Sequence, residues 1–330
     1  MLDRKFILQK CIGQGGSSRV YLSEHPESQG KYAIKVIRKD KGINQKKGAF
    51  LLHQEHERMV KLQAHPNILK SYGAFWEGEL DTELGLTTIQ YSVLELAENG
   101  SFHQLIRKVG GLGETLAKFP FMQMCCAVQY IHSQGIAHMD LKLDNILIDK
   151  YFNCKIADLG VSLDVSETNG MTDSKRGTAC YMSPEIKYLL PTETYDAYKS
   201  DIYSLGVWLY VLLFGELPLK QDNEDSTNYN SDTLLTITGL KFSIDCRKKW
   251  SQLPMELQDL LSWMLSMDPD ERPSLQEILG SSWLKEAYFE DMPFYFYEKI
   301  QKENFDMNED TWADNQEKLW LEGEFDTYPF

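Results

Sequence analysis

The chain has 330 residues and a formal net charge of −15, which sets nucleic acid aside as a primary partner, because a duplex binder needs clustered Lys and Arg to displace counterions. Its hydrophobic (42%) and charged (25%) fractions are those of a globular chain able to bury a large core. The acid is uneven: residues 285–330 carry 13 Asp and Glu against four Lys.

The first hundred residues read mostly as strands. FILQKCIG, RVYLSEH and KYAIKVIRK are short β-prone runs broken by Gly, Pro and Ser. Between residues 44 and 63, Phe50, Leu51, Met59, Val60 and Leu62 recur at helical spacing on a charged background. HPNILKSYGAF and TIQYSVLELA return to strand character, separated by the polar stretch Glu77 to Glu83.

After Asn99-Gly100 the pattern turns helical, with TLAKFPFMQMCCAVQYIHSQG ending at Gly135. NILID and CKIAD read as two short strands, residues 164–176 as a polar loop, and the remainder to about Lys285 as helices. The apolar stretch Ile202 to Leu219 is broken by Ser204, Gly206, Gly215, Glu216 and Pro218. A membrane span needs about 20 apolar residues, so this stretch reads as the central helix of a large domain. The expected fold is α+β and bilobal. A small β-rich lobe with one main helix takes residues 1–94, a hinge lies at 94–98, and a larger, mainly helical lobe fills 99–284. An acidic, aromatic-rich extension follows at 285–330.

Six cysteines (Cys11, Cys125, Cys126, Cys154, Cys180, Cys246) show no ladder of spacings and read as free thiols of a reducing interior. MLDRKFILQK has no apolar signal-peptide core. The expected compartment is therefore inside the cell, in the cytoplasm or nucleus.

Several residues carry chemistry. In IGQGGSSRV, Gly13, Gly15 and Gly16 lie between two strands and let backbone N–H groups approach a polyphosphate. Alone, this is also what a Gly-rich hairpin turn looks like. Lys35 sits inside the strand YAIKVI, where a carboxylate on the following helix can hold it. Glu55 is preferred to Glu57, because Met59 and Leu62 share its face at i+4 and i+7. In HMDLKLDNILI, Asp140 suits orientation or deprotonation of a hydroxyl, Lys142 neutralisation of a phosphate, and Asn145 an oxygen ligand for magnesium. Asp158 in IADLG offers a second magnesium ligand.

Each of these alone is an ordinary residue, but their order is not. Gly-rich turn, strand Lys, helix Glu, HxDxKxxN, DxG and SPE follow one another as a phosphoryl-transfer signature. From about Phe6 to Leu284 the chain resembles the eukaryotic protein kinase superfamily, closest to serine/threonine kinases of the calcium/calmodulin-dependent type. HPNI at 65–68, DLKLDN at 140–145, GTACYMSPE at 177–185, DIYSLGVWLYVLLFGELP at 201–218 and DPDERPS at 268–274 carry the resemblance.

The resemblance implies ATP and Mg2+ bound between the lobes and protein substrates phosphorylated on Ser or Thr. It implies a hinge at Leu94, Glu95, Leu96 and Ala97, and an adenine pocket of Ile12, Val20, Ala33 and Leu147. It further implies that Glu185 pairs with Arg272 and that Asp201 braces the catalytic loop. Selectivity for Ser and Thr over Tyr rests on Lys142 and Thr178. Thr172 and Ser174 are the candidate activation-loop phosphosites.

Three residues depart from the pattern: Ser18 for a third glycine, Leu159 for Phe, and Met139 for the Arg that pairs with an activation-loop phosphate. Met139 sets the expectation that activation-loop phosphorylation is not strictly required. The rival function is a catalytically inactive pseudokinase scaffold, which predicts loss of Lys35, Asp140, Asn145 or Asp158; all four are present. A small-molecule or lipid kinase ranks lower, since GTACYMSPE resembles a peptide-docking segment. The tail is too acidic for a calmodulin target, which needs a basic amphipathic helix. Its Trp312, Trp320, Phe325, Tyr328 and Phe330 leave two readings, a flexible extension or a tether docking on the chain's own kinase domain or a partner.

Overall fold

Strand-forming sequence dominates the start of the chain, and the computed structural model pairs it into one antiparallel sheet. The residues described are 1–15, 17–38, 45–82, 85–218, 235–237, 240–242 and 248–285. The strands are β1 (Ile7–Gln14), β2 (Ser18–Glu24), β3 (Lys31–Ile37), β4 (Ser71–Thr82) and β5 (Gly85–Glu95), in the order β1-β2-β3-β5-β4. Helix α1 (Gln45–Leu62) packs Leu52, Glu55, Met59 and Leu62 inward, a set spaced three or four apart.

Two features of this lobe depart from the sequence reading. The polar stretch expected to separate two strands is itself strand up to Thr82, since Glu79, Leu80, Asp81 and Thr82 pair with Thr88, Thr87, Leu86 and Gly85. The ladder satisfies the backbone there, and side chains beyond the core need no apolar alternation. Glu83 lies outside the described residues. Residues 1–6 also fold back: Leu2 is fully buried and bridges Leu80, and Asp3 donates its N–H to the Glu79 carbonyl at 2.8 Å. Leu2 and Phe6 thus cover Ile34, Ile89, Tyr91 and Val93 on one face of the sheet.

The second lobe begins with α2 (Phe102–Val109), opened by a capping box of Ser101 and Gln104. Helix α3 (Gly113–Ser133) follows, then β6 (Ile136–Ala137) and a 3-10 turn at Leu143–Asn145. The hairpin β7 (Ile146–Ile148) and β8 (Cys154–Ile156) comes next, and then β9 (Leu163–Asp164), which pairs with β6. The loop expected over residues 164–176 contains a short strand, β10 (Met171–Thr172), paired with β11 (Tyr195–Asp196). A short helix α4 (Pro184–Lys187) separates them.

Helix α5 (Ala197–Phe214) is the apolar stretch, and all its residues except Tyr198 and Lys199 are buried. Asp196 caps its start by accepting from the N–H groups of Tyr198 and Lys199, and left-handed Gly215 ends it. Among the described residues no helix is long and apolar enough to cross a membrane. Helices α6 (Met255–Met264), α7 (Leu275–Leu279) and α8 (Ser282–Lys285) complete the lobe. One continuous core joins α1, α2, α3, α5 and α6 with Ala33 and Leu94 of the sheet. This core fixes the floor and roof of the cleft between the lobes. Residues 286–330 lie outside the described residues.

Candidate active site

Strand β3 places Lys35 on the face of the sheet turned toward α1. Its Nζ lies 2.8 Å from both carboxylate oxygens of Glu55 and 3.1 Å from Oδ1 of Asp158. Glu55, rather than Glu57, is the partner, as the helical spacing implied. Burial alone lowers the Lys35 pKa, but the charges of Asp158 and Glu55 outweigh it and hold the ammonium well above its ordinary value. Lys35 in turn holds the Asp158 carboxyl below the usual range, against burial, with Lys142 and His138 adding to the effect. The Asp158 side chain remains 48% exposed toward the cleft.

The segment after β6 is bent into an uncommon shape. Met139 and Asp158 have φ of 68° and 58°, a region that costs a non-glycine residue about 1–3 kcal/mol. Asp201, fully buried on α5, holds the first of these bends. Its two oxygens accept the main-chain N–H groups of His138 (2.7 Å) and Met139 (2.8 Å), and His132 Nε2 lies 2.8 Å from Oδ2. Asp201 therefore braces the loop as the resemblance implied.

Asp140 follows directly and sits in a closed network. Asn145 donates from Nδ2 to the Asp140 carbonyl and to Oδ2, each at 2.9 Å. Lys142 Nζ lies 2.8 Å from the same Oδ2 and donates to Thr178 Oγ1 at 2.7 Å. Thr178 passes its own hydrogen to Oδ1 of Asp140 at 2.6 Å. Burial pulls the Lys142 pKa down, yet Asp140 raises it overall. Both amide hydrogens of Asn145 are committed to Asp140, so its side-chain oxygen is the atom it could offer to a hard cation.

Ile12, Val20, Leu147, Leu96 and Ala97 are partly buried against the core that contains Ala33 and Leu94. The Glu95 carboxylate is engaged elsewhere, 2.8 Å from Lys155 Nζ and accepting the Lys70 N–H at 3.0 Å, and its own N–H donates to the Lys70 carbonyl at 2.9 Å, so its carbonyl is the group it could turn to a nucleotide base. At the glycine turn, Gly13 pairs with Val20 and the Gly15 N–H donates to the Ser18 carbonyl at 2.9 Å. Ser18 itself is in regular β2, where a serine needs no left-handed backbone. Gly16 lies outside the described residues.

This arrangement has known counterparts. The sequence profile of the protein kinase domain matches residues 6–284. The chain belongs to the protein kinase family. It is 32% identical over 308 residues to the serine/threonine-protein kinase KIN4 of Saccharomyces cerevisiae, covering 90% of this chain and 36% of that protein. It is 31% identical to CBL-interacting protein kinase 2 of Oryza sativa subsp. japonica, over 87% of this chain and 59% of that one. CBL-interacting serine/threonine-protein kinase 5 of Arabidopsis thaliana is 31% identical, over 94% and 64% respectively. The chain thus spans between about a third and two thirds of the length of these relatives.

The activation segment of this kinase is held by apolar packing. Met139 is 4% exposed and clusters with Ala137, Val165, Ile186, Tyr195 and Ala197. Gly177 has φ of 108°, and a Cβ there would stand 2.5 Å from the Met139 carbonyl oxygen. Thr172 lies in β10 and accepts the Ser174 N–H at 3.1 Å, while Tyr195 Oη donates to the Ser174 carbonyl at 2.5 Å. Leu159 is buried in the main core, filling an apolar position as its sequence context implied. Arg272 makes a two-pronged pair with Glu185, both contacts at 2.7 Å.

Sequence reasoning missed four supporting side chains. Arg58 of α1 donates to the Leu159 carbonyl at 3.2 Å, His132 joins Asp201, the His138 ring lies 3.3 Å from the Ala157 carbonyl, and Arg176 donates to the Val161 carbonyl at 3.3 Å. Three of them lie within or next to stretches that already attract notice. Their partners stand 15 to 101 residues away, and no local spacing reveals them.

Proposed function

We propose that this kinase transfers the terminal phosphoryl group of ATP, with magnesium, to Ser and Thr hydroxyls of protein substrates. The observation that carries this reading is the network around Asp140, which holds a carboxylate, a lysine and a threonine hydroxyl within 2.9 Å of one another. Bound magnesium–ATP would supply the phosphoryl group and a cation that neutralises its charge. Asn145 and Asp158 would hold the cation, and Lys35, fixed by Glu55, would face the phosphates. Ile12, Val20, Ala33 and Leu147 would exclude water from the base, with Glu95 and Ala97 presenting main-chain groups.

Asp140 orients the incoming hydroxyl and takes its proton at a carboxylate oxygen. Lys142 lies where negative charge builds on the transferred group, so it stabilises that charge without forming a bond. Thr178 keeps Lys142 and Asp140 in register and lies at the start of the peptide-docking segment. A pseudokinase scaffold would be expected to lack at least one of Lys35, Asp140, Asn145 and Asp158; all four are present, and the contacts of Lys35 with Asp158 (3.1 Å) and of Asn145 with Asp140 (2.9 Å) support the active reading.

The test is transfer of radiolabelled phosphate from ATP to a mixed basic protein substrate, run beside Asp140→Asn. Transfer to Ser and Thr should fall by about 10²–10⁴-fold in the variant, the usual contribution of a positioned acid–base group. Nucleotide and magnesium binding without transfer in the unaltered chain would instead favour the scaffold.

A further inference from the structure

Two arginines meet the main chain just beyond Asp158. Arg58 stands three residues after Glu55 on α1, and its Nη1 donates to the Leu159 carbonyl at 3.2 Å. Arg176 stands two residues before Thr178, and its Nη1 donates to the carbonyls of Val161 at 3.3 Å and Ser162 at 3.5 Å. Three carbonyls among residues 159–162 are thus taken by guanidiniums from two separate elements. Neither guanidinium has a carboxylate within ion-pair distance among the described residues, and Asp164, Glu55 and Glu57 act on Arg58 only at longer range. Burial and the charge of Arg176 lower the pKa of Arg58 from its ordinary value, so the two cations repel and still converge on one stretch of backbone. Charged donors make strong hydrogen bonds to carbonyls, and here those bonds offset the repulsion.

That stretch needs holding. Asp158 has a left-handed φ of 58°, and a Cβ on Gly160 would stand 3.1 Å from Asp158 Oδ1, so the backbone turns back close against the carboxylate. The Leu159 carbonyl also accepts from the fully buried Ser162, through Oγ at 2.8 Å and the N–H at 3.2 Å, which closes residues 159–162 into a turn. On the side before Asp158, the Ala157 N–H donates to the Asn145 carbonyl at 2.9 Å. The direction of the Asp158 side chain is therefore set by how firmly this turn is fixed.

We propose that Arg58 and Arg176 are positioning residues, a two-armed clamp on the turn 159–162 that fixes the Asp158 carboxylate for its cation. The clamp ties three parts of the site together: α1 with Glu55, the turn after Asp158, and the segment that leads into Thr178. Displacing one of them loosens the other two, with no phosphate on the activation segment involved. The cation's part in this rests on the function proposed above; the clamping of the turn does not.

The test uses the full chain with Arg58→Gln and Arg176→Gln, alone and together. The hydrogen-bonded amides of Ala157 and Ser162 should exchange about tenfold faster in each single variant, the scale of one lost charged hydrogen bond, while α5 stays protected. Half-maximal binding of ATP should need about tenfold more magnesium, the usual cost of losing a group that orients a metal ligand, and binding of ATP without magnesium should not change. The double variant should need little more magnesium than the worse single one, because both arms hold one turn. Arg58→Lys, which keeps a donor for the single Leu159 carbonyl, should recover most of the loss. Unchanged exchange at Ser162 in either single variant would overturn the clamp, as would a double variant whose shift is the product of the single ones. Faster exchange with an unaltered magnesium requirement would overturn the positioning role and leave both arginines merely structural. If the unaltered chain bound no magnesium–ATP, the proposed function would fail instead, and hydrogen exchange alone would decide the clamp.

Discussion

Met139 stands where kinases of this family commonly place an arginine for an activation-loop phosphate, and here the position belongs to an apolar cluster. Val165, Ile186, Tyr195 and Ala197 surround it, so the energy that orders the activation segment comes from burial. The double variant Thr172→Ala/Ser174→Ala should therefore keep activity within about twofold, the scale of substitutions that break no key contact. Loss of nearly all transfer in that variant would contradict this account. Met139→Arg should do more harm: an unpaired charge buried in this cluster costs on the order of 3 kcal/mol. A lowered denaturation midpoint would report it. Residue identities near the chemistry were legible in the sequence because short motifs follow one another in a fixed order along the chain, from the glycine turn to SPE. Glu55, for example, is distinguished from Glu57 by the apolar residues at i+4 and i+7, and the fold brings Glu55 rather than Glu57 to Lys35.

At the scale of elements, the end of the activation segment is pressed against the catalytic loop. Gly177 leaves no room for a side chain below the Met139 carbonyl and adopts a backbone that other residues resist. Gly177→Ala should cost about 1–3 kcal/mol and lower kcat more than the KM for nucleotide, because it displaces Thr178 from Asp140 and leaves the hinge untouched. Steady-state kinetics beside a melting curve would check both parts. Farther down, Arg272 is buried and satisfied by Glu185, the Ser266 carbonyl and the Lys199 carbonyl. Removing it strands the carboxylate of Glu185. Arg272→Ala should therefore destabilise the protein by about 3–5 kcal/mol, read as a loss of denaturation midpoint. Element boundaries were less legible than these pairs. Strand β4 runs through charged residues up to Thr82 because backbone pairing with β5 holds it, a cause that no side-chain pattern records.

For the molecule as a whole, stability should fall on acidification in two stages. Burial lowers the pKa of His56 and His65 from the ordinary 6.5, with His53 adding to the effect on His56. The folded state thus binds fewer protons than the unfolded one, so this stabilisation is complete above pH 6.5 and is lost as pH falls through the lowered values. Asp158, through Lys35, and Asp164, through hydrogen bonds from Ser166, are lowered from 3.8, and their stabilisation is lost below that range. Denaturant midpoints measured from pH 8 to pH 3 should show both stages, and His56→Gln with His65→Gln should flatten the first. The bilobal plan was legible because strand and helix periodicities change near Gly100. The fold-back of Leu2 onto Leu80 was not, since a six-residue segment has no periodicity to read and its partner lies 78 residues away.

The cluster around Met139 also constrains descent. An arginine at this position needs a polar surrounding, and that surrounding is built from apolar side chains on β6, β9, β11, α4 and α5. A lineage that replaced Met139 first would pass through a destabilised protein, and one that replaced the neighbours first would loosen the activation segment before any phosphate could hold it. The two ways of ordering the segment are thus separated by a valley of several coupled substitutions. Drift within this lineage should exchange one apolar residue for another at position 139 and leave the charged alternative out of reach.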